Sequence, residues 1–196
     1  IPRLCSGEWL GAFALTEPGS GSDSTNLSTT AIRQGNEYIL NGGKIFITNG
    51  SIADIFLVYA RTPRGVGRWG ISAFIVEKTF PGFSIGRDIP KIGTKGSPLS
   101  ELIFTNCRVP AVNLLGREGH GVSYMLKGLD VERCLLSGLA VGAAQAAFEF
   151  ALNYAKERRQ FGQPIASFQL VQEMLAQMAT EIEAARLLVR QSCWRI

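Results

Sequence analysis

His120 is the only histidine among 196 residues, and it sits in the glycine-flanked EGHGV. Ser-His-Asp or Cys-His hydrolysis would rest wholly on that loop residue, so triad chemistry is set aside. Cysteine is scarce too. Cys5, Cys107, Cys134 and Cys193 show no CxxC spacing, which with one histidine leaves no metal cluster or disulfide framework and favours a reducing compartment. The net charge of +4 is spread along the chain. No Arg/Lys stripe interleaves with aromatics, so no nucleic-acid partner is expected. The longest small-apolar run, CLLSGLAVGAAQAAFEFAL, is broken by Ser137, Gln145 and Glu149 and falls short of the ~20 apolar residues of a membrane span, so none is expected. No signal peptide opens the chain. IPRLCSGEWLG reads as an interior stretch, and the chain is expected to be part of a longer polypeptide.

What is present divides in two. Residues 1–107 carry strand signals: NEYILNGGKIFITNG alternates on both sides of Asn41-Gly42, a dipeptide suited to a tight hairpin turn. Further strands are expected at IFLVYA (55–60), ISAFIVE (71–77) and SELIFTN (100–106), with RTPRGVGRWG and TFPGFSIG as turns between them. After Pro110 the period changes, because residues from about 119 to 158 lack proline and space their apolar side chains as a helix does. Pro164 interrupts, Ser167 can cap, and Val171, Leu175, Met178, Ile182, Ala185 and Val189 mark a second helix antiparallel to the first. The expected class is α+β: a small antiparallel β-barrel or sandwich over 1–115, then two long antiparallel helices over 116–196.

Three groups of residues could carry chemistry. FALTEPGSGSD (13–23) has the composition of an anion-cradling loop, with free backbone N–H groups and the hydroxyls of Ser20 and Ser22, and equally that of an ordinary flexible turn. Neither a Rossmann fingerprint nor a P-loop is supported. In KIFITNG a period of two puts Phe46 and Thr48 on one face and Ile45 and Ile47 on the other; Phe46 with Thr48 would suit an aromatic heterocycle, or Phe46 is a half-exposed edge residue. Tyr124, Gly128 and Glu132 fall at i, i+4 and i+8 on one helix face, where a glycine gap between an aromatic and a carboxylate leaves room for a thin ligand. Asp130 and Arg133, at i and i+3, pair with each other or with a polar ligand group.

TEPGSGSD, NGGKIFITNG, GLDVER and ERRQFGQPIASFQ occur in the order and at about the spacing of the acyl-CoA dehydrogenases. The chain resembles that family over essentially its whole length, as a middle β domain plus the first two helices of a C-terminal helical domain. The resemblance implies FAD as cofactor. Phe13, Ala14, Leu15, Thr16, Gly21 and Ser22 would wrap the flavin and its pyrophosphate. Phe46, Ile47 and Thr48 would lie against the isoalloxazine ring, the Thr48 hydroxyl near N5. Phe46 stands where the family more often has Trp. Arg158, Phe161 and Gln169 would reach the FAD of a neighbouring subunit, which implies a homo-oligomer, a dimer of dimers. Ser22, Tyr124, Asp130 and Arg133 would contact an acyl-CoA thioester, with an electron-transfer flavoprotein as acceptor.

Most of the family carries its catalytic Glu in a later loop, whereas isovaleryl-CoA and long-chain acyl-CoA dehydrogenases carry it within a segment like GLDVER. Glu132 is therefore the implied base, and isovaleryl-CoA dehydrogenase-like members are the nearest resemblance, although Lys127 replaces a Ser of that pattern. Glu132 would take the α-proton while a β-hydride passes to flavin N5, with burial raising the carboxylate's pKa. An acyl-CoA oxidase or flavin monooxygenase of the same architecture, or a binding fragment without turnover, stay as alternatives. The compartment would be the cytoplasm of a bacterium or the mitochondrial matrix of a eukaryote.

Overall fold

The computed structural model describes residues 1–63, 65 and 67–196. They form two compact units, Ile1–Met125 and Leu126–Ile196. After a short helix α1 (Pro2–Cys5), the first unit holds β1 (Gly11–Ala14), β2 (Thr30–Gln34), β3 (Glu37–Thr48), β4 (Ile55–Arg61), β5 (Ile71–Glu77), β6 (Phe83–Asp88) and β7 (Leu99–Pro110). All seven belong to one sheet, ordered β1-β4-β2-β3-β7-β6, with β5 also on β4. The sheet curls as a half-barrel. Most pairings are antiparallel, as expected. β1 and β2 instead run parallel to β4, because the long 15–29 connection replaces a tight turn between them. The core is continuous: Tyr38, Leu40 and Ile47 from β3, Phe56 and Val58 from β4, Phe74 and Val76 from β5, and Leu102, Phe104 and Val109 from β7 are all buried. The expected strands at 55–60, 71–77 and 100–106 are present as β4, β5 and β7, whereas β1, β2 and β6 were not anticipated. β6 begins inside TFPGFSIG, where the Phe83 ring packs against Phe56 and Phe104. In RTPRGVGRWG, Arg64 and Val66 lie outside the described residues.

The expected turn at Asn41-Gly42 does not exist. Glu37–Thr48 is one strand, and the two-residue turn lies at Gly35-Asn36, where Gly35 takes φ 60° and Gln34 pairs with Glu37. Gly42 instead lies opposite a bulge on β7: Leu40 pairs with Cys107 and Gly42 with Phe104, so the extra residue is on β7, and Gly42 itself takes φ 140°. A Cβ at Gly42 would come within 2.7 Å of Thr29 Cα, so glycine is needed for a close backbone approach.

The first turn of α2 (Gly121–Glu157) belongs to the first unit, where Val122 and Met125 are buried. A Cβ on Gly121 would meet the Ile71 carbonyl at 2.8 Å. In the second unit the rest of α2 and α3 (Gln169–Arg195) flank a two-strand hairpin, β8 (Arg159–Gln160) and β9 (Gln163–Pro164). Phe161 and Gly162 both take positive φ at its tip. Ser167 does not cap α3; Phe168 holds that position and no side chain caps. Val171, Leu175, Met178, Ile182 and Val189 form the half-buried stripe of α3, with Arg186 rather than Ala185 completing it. Arg186 donates to the Gln145 side chain of α2 at 2.6 Å, fixing the two helices as an antiparallel pair. By length and composition α2 is apolar enough to cross a membrane, contrary to the sequence expectation, because the polar residues breaking its run are too sparse.

Candidate functional site

β1 leads from Phe13 and Ala14 into the 15–29 connection. Glu17 and Ser20 exchange backbone hydrogen bonds across Pro18-Gly19, making a tight turn, and the Ser20 hydroxyl donates to the Asp23 carbonyl at 2.7 Å. Ser20 is thereby buried and its hydroxyl is used within the loop, so it is not a free donor. The N–H groups of Gly21 and Ser22 make no hydrogen bond among the described residues, and both residues are exposed. This pair of amides is what an anion could use.

The loop is fastened to β3. Ile45 N–H donates to the Thr16 carbonyl at 2.9 Å, and Lys44 Nζ reaches the Leu15 carbonyl at 3.0 Å and Glu17 Oε1 at 2.8 Å. The Lys44 and Glu17 side chains are 0% and 1% exposed. Glu17 also accepts from the Ser28 N–H and hydroxyl, both at 2.6 Å, and from the Thr29 N–H at 3.0 Å. Burial alone would push the Glu17 carboxyl up, but hydrogen bonds from Lys44, Ser28 and Thr29 outweigh it and hold the pKa at about 2. Burial pulls Lys44 down to about 8, opposed in part by the Glu17 carboxylate. Sequence reasoning assigned neither residue a role; the signal was two opposite charges inside otherwise apolar or small motifs.

Just beyond Lys44 the strand bulges. The register with β7 shifts between Lys44 and Ile47, and Phe46 takes φ 59°. Lys44 and Ile47, three residues apart, both face inward, while Phe46 (55% exposed) and Thr48 face outward. Phe46 and Thr48 thus share the expected face, but through a broken period, and Ile45 is only half-buried. Asn49 (φ 61°) closes the segment: its N–H donates to the Pro98 carbonyl at 2.7 Å and its side chain accepts from the Ser97 hydroxyl at 2.7 Å.

Of the other residues, Ala14 and Ile47 have side chains in the core, so only their backbone can meet a ligand. Leu15 and Thr16 are half-buried on the loop. Phe13 is exposed on β1, its ring 5.3 Å from that of Tyr59, and lines an apolar groove of about 410 Å³ with Ile55, Leu57, Ile75 and Leu115. Tyr124 is committed to the loop before α2: its hydroxyl accepts the Arg117 N–H at 3.2 Å and fills the space beside Gly116, and its ring stacks with that of His120.

In the second unit, Asp130 and Arg133 pair at 3.5 Å, both well exposed, and line a concave surface of about 670 Å³ with Lys127, Cys134 and Arg195. Glu132 is exposed and forms no hydrogen bond or ion pair among the described residues. Phe161 (93% exposed) and Gln169 line a second concavity of about 740 Å³, with Arg158 at the base of the same hairpin accepting the Ile165 N–H.

A curled sheet that turns an aromatic ring and a hydroxyl outward and carries a loop with free amides, followed by a long helix pair, defines an α+β domain of the half-barrel and helix class. The chain matches the acyl-CoA dehydrogenase middle domain over residues 12–107 and the acyl-CoA dehydrogenase C-terminal domain over residues 119–196. It therefore belongs to the acyl-CoA dehydrogenase family. It is 55% identical over 189 residues to an acyl-CoA dehydrogenase of Bacillus subtilis (strain 168), covering 96% of this chain and 50% of that protein. Against the mitochondrial isovaleryl-CoA dehydrogenase of Pongo abelii the identity is 46%, covering 95% of this chain and 44% of the relative. The structure of butyryl-CoA dehydrogenase from Megasphaera elsdenii superposes with a TM-score of 0.91 at 45% identity, covering 96% of this chain and 50% of that one. The chain spans about half the length of these relatives.

Proposed function

We propose that this chain is the middle β unit and the first two C-terminal helices of an FAD-dependent acyl-CoA dehydrogenase acting on an acyl-CoA thioester. The observation that carries the reading is the outward pair Phe46 and Thr48 on bulged β3, the strand to which the loop holding the uncommitted amides of Gly21 and Ser22 is fastened through Thr16. Those residues fit a flat heterocycle and a pyrophosphate: Phe46 offers a ring face, Thr48 a hydroxyl, and the loop two N–H donors. Phe13, Leu15 and Thr16 complete the set from β1 and the loop, with Ala14 and Ile47 contributing backbone. Bound there, FAD supplies the acceptor for a hydride from the substrate β-carbon.

The chain's own part is acid–base and positional. Glu132 removes the α-proton, whose acidity comes from the adjacent thioester. Asp130 and Arg133, with Ser22 and Tyr124, hold polar groups of the thioester ligand, and exclusion of water around Glu132 falls to polypeptide outside these residues. Arg158, Phe161 and Gln169 serve the FAD of a neighbouring subunit in a dimer of dimers, which accounts for an aromatic held 93% exposed at a hairpin tip. An electron-transfer flavoprotein takes the electrons. The apolar faces of α2 and α3 are covered by protein rather than lipid. The bacterial and mitochondrial relatives support a bacterial cytoplasm or a mitochondrial matrix.

The test uses the complete polypeptide. Glu132→Gln should retain FAD and lose bleaching of the flavin absorbance by acyl-CoA; bleaching at the wild-type rate would remove Glu132 from the mechanism.

A further inference from the structure

We propose that Lys44 and Glu17 are positioning residues: their buried ion pair locks the 15–29 connection to β3 and sets the bulge that turns Phe46 outward. The inference rests on the flavin reading above for its purpose, but not for its geometry.

The strand explains why a lock is needed. Tyr38, Leu40 and Lys44 face inward at even positions. A regular strand would therefore put Phe46 inward and Ile47 outward, because side chains alternate with a period of two. The bulge between Lys44 and Ile47 reverses that parity, at the cost of an aromatic residue in the left-handed region. Lys44 is the last inward side chain before the reversal. Its ammonium is held from two successive directions on the loop, the Leu15 carbonyl and the Glu17 carboxylate, while the next amide, Ile45 N–H, binds the Thr16 carbonyl between them. Three consecutive loop residues thus grip two consecutive strand residues. Glu17 carries the grip to the far end of the connection through Ser28 and Thr29. Gly21 and Ser22 lie within the segment so closed, which fixes the amides and the Phe46 ring to one frame.

Bulk stabilisation is a poor reason for this pair, because well-packed apolar residues commonly do as well as a buried ion pair. Specification of one arrangement is the use assigned to the pair here.

Lys44→Met leaves Glu17 buried and unpaired, and should lower the Tm of the apoprotein. The double variant Lys44→Met/Glu17→Gln removes the orphaned charge, keeps an acceptor for Ser28 and Thr29, and should bring the Tm back near wild type. The FAD dissociation constant of the double variant should stay raised by about tenfold or more, with altered vibrational structure in the visible flavin band. Affinity and spectrum returning together with stability would overturn the inference. Hydrogen exchange on wild-type apoprotein gives a second measurement that needs no variant to fold. The amides of Ile45, Ser28 and Thr29 should be as protected as those inside β3 before FAD is added, and exchange at loop rates would equally overturn the lock. Failure of wild type to take up FAD would instead defeat the functional reading, leaving the exchange result to stand on its own.

Discussion

Phe74 in the β unit is wholly buried, its ring edge-on to Tyr38 at 4.9 Å, whereas Phe150 in the helical unit is 77% exposed. The same contrast runs through both units: the first closes a continuous core over six strands, while Ala155 is the only buried residue among those described from Leu126 onward. Leu135, Leu139, Leu170 and Trp194 all stand exposed on the helices. An apolar face without a partner gains nothing from folding, since burial is what offsets the entropy of ordering the chain. One unit carries its own reasons for folding and the other borrows them.

The largest effect should come from separating the two. Residues 1–125 alone should show a cooperative calorimetric transition, and residues 126–196 alone should show none. A sharp transition in the helical segment would end the contrast. Next in size, Phe74→Ala should cost about 3–5 kcal/mol in chemical denaturation, and Phe150→Ala within about 0.5 kcal/mol in this chain.

Acid sharpens the comparison further. Glu17 titrates at about 2 in the folded β unit against an ordinary 4.5, so the unfolded chain takes up its proton first as pH falls. The stabilisation from this carboxylate is complete above pH 4.5 and is lost as pH falls toward 2. Urea midpoints measured across that window should drop, and Glu17→Gln should flatten the drop. Two glycines extend the comparison, one in each unit. Gly42→Ala should destabilise by about 1–3 kcal/mol, because its Cβ meets Thr29 at a positive φ. Gly128→Ala, in open space on α2, should stabilise by up to about 1 kcal/mol.

Helices α2 and α3 were legible because a 3.6-residue period repeated over many turns leaves little room for another reading, β4 and β5 because they are nearly continuous apolar runs, and β7 because a short apolar stretch, LIF, stands in a polar surround. β1 and β2 were not, being four and five residues long with no distinctive pattern. Asn41-Gly42 misled for a physical reason: the backbone freedom that suits a hairpin turn equally suits a close approach of two backbones within a sheet, and here that approach is to Thr29, distant in sequence. At the site, Phe46 and Thr48 were placed on the correct outward face, but by an alternation that the chain does not follow. Lys44 escaped notice because a charged residue in a strand is ordinarily read as solvated, and only its partner shows otherwise. Glu132 is exposed on α2, a position that its helical spacing alone does not fix.

The left-handed backbone of Phe46 sets two selective pressures against each other. Glycine at 46 would relieve about 1 kcal/mol of conformational cost and would delete the ring. A laboratory lineage propagated for heat tolerance alone should drift toward glycine there, and one propagated for turnover should hold the aromatic and remain the more fragile of the two.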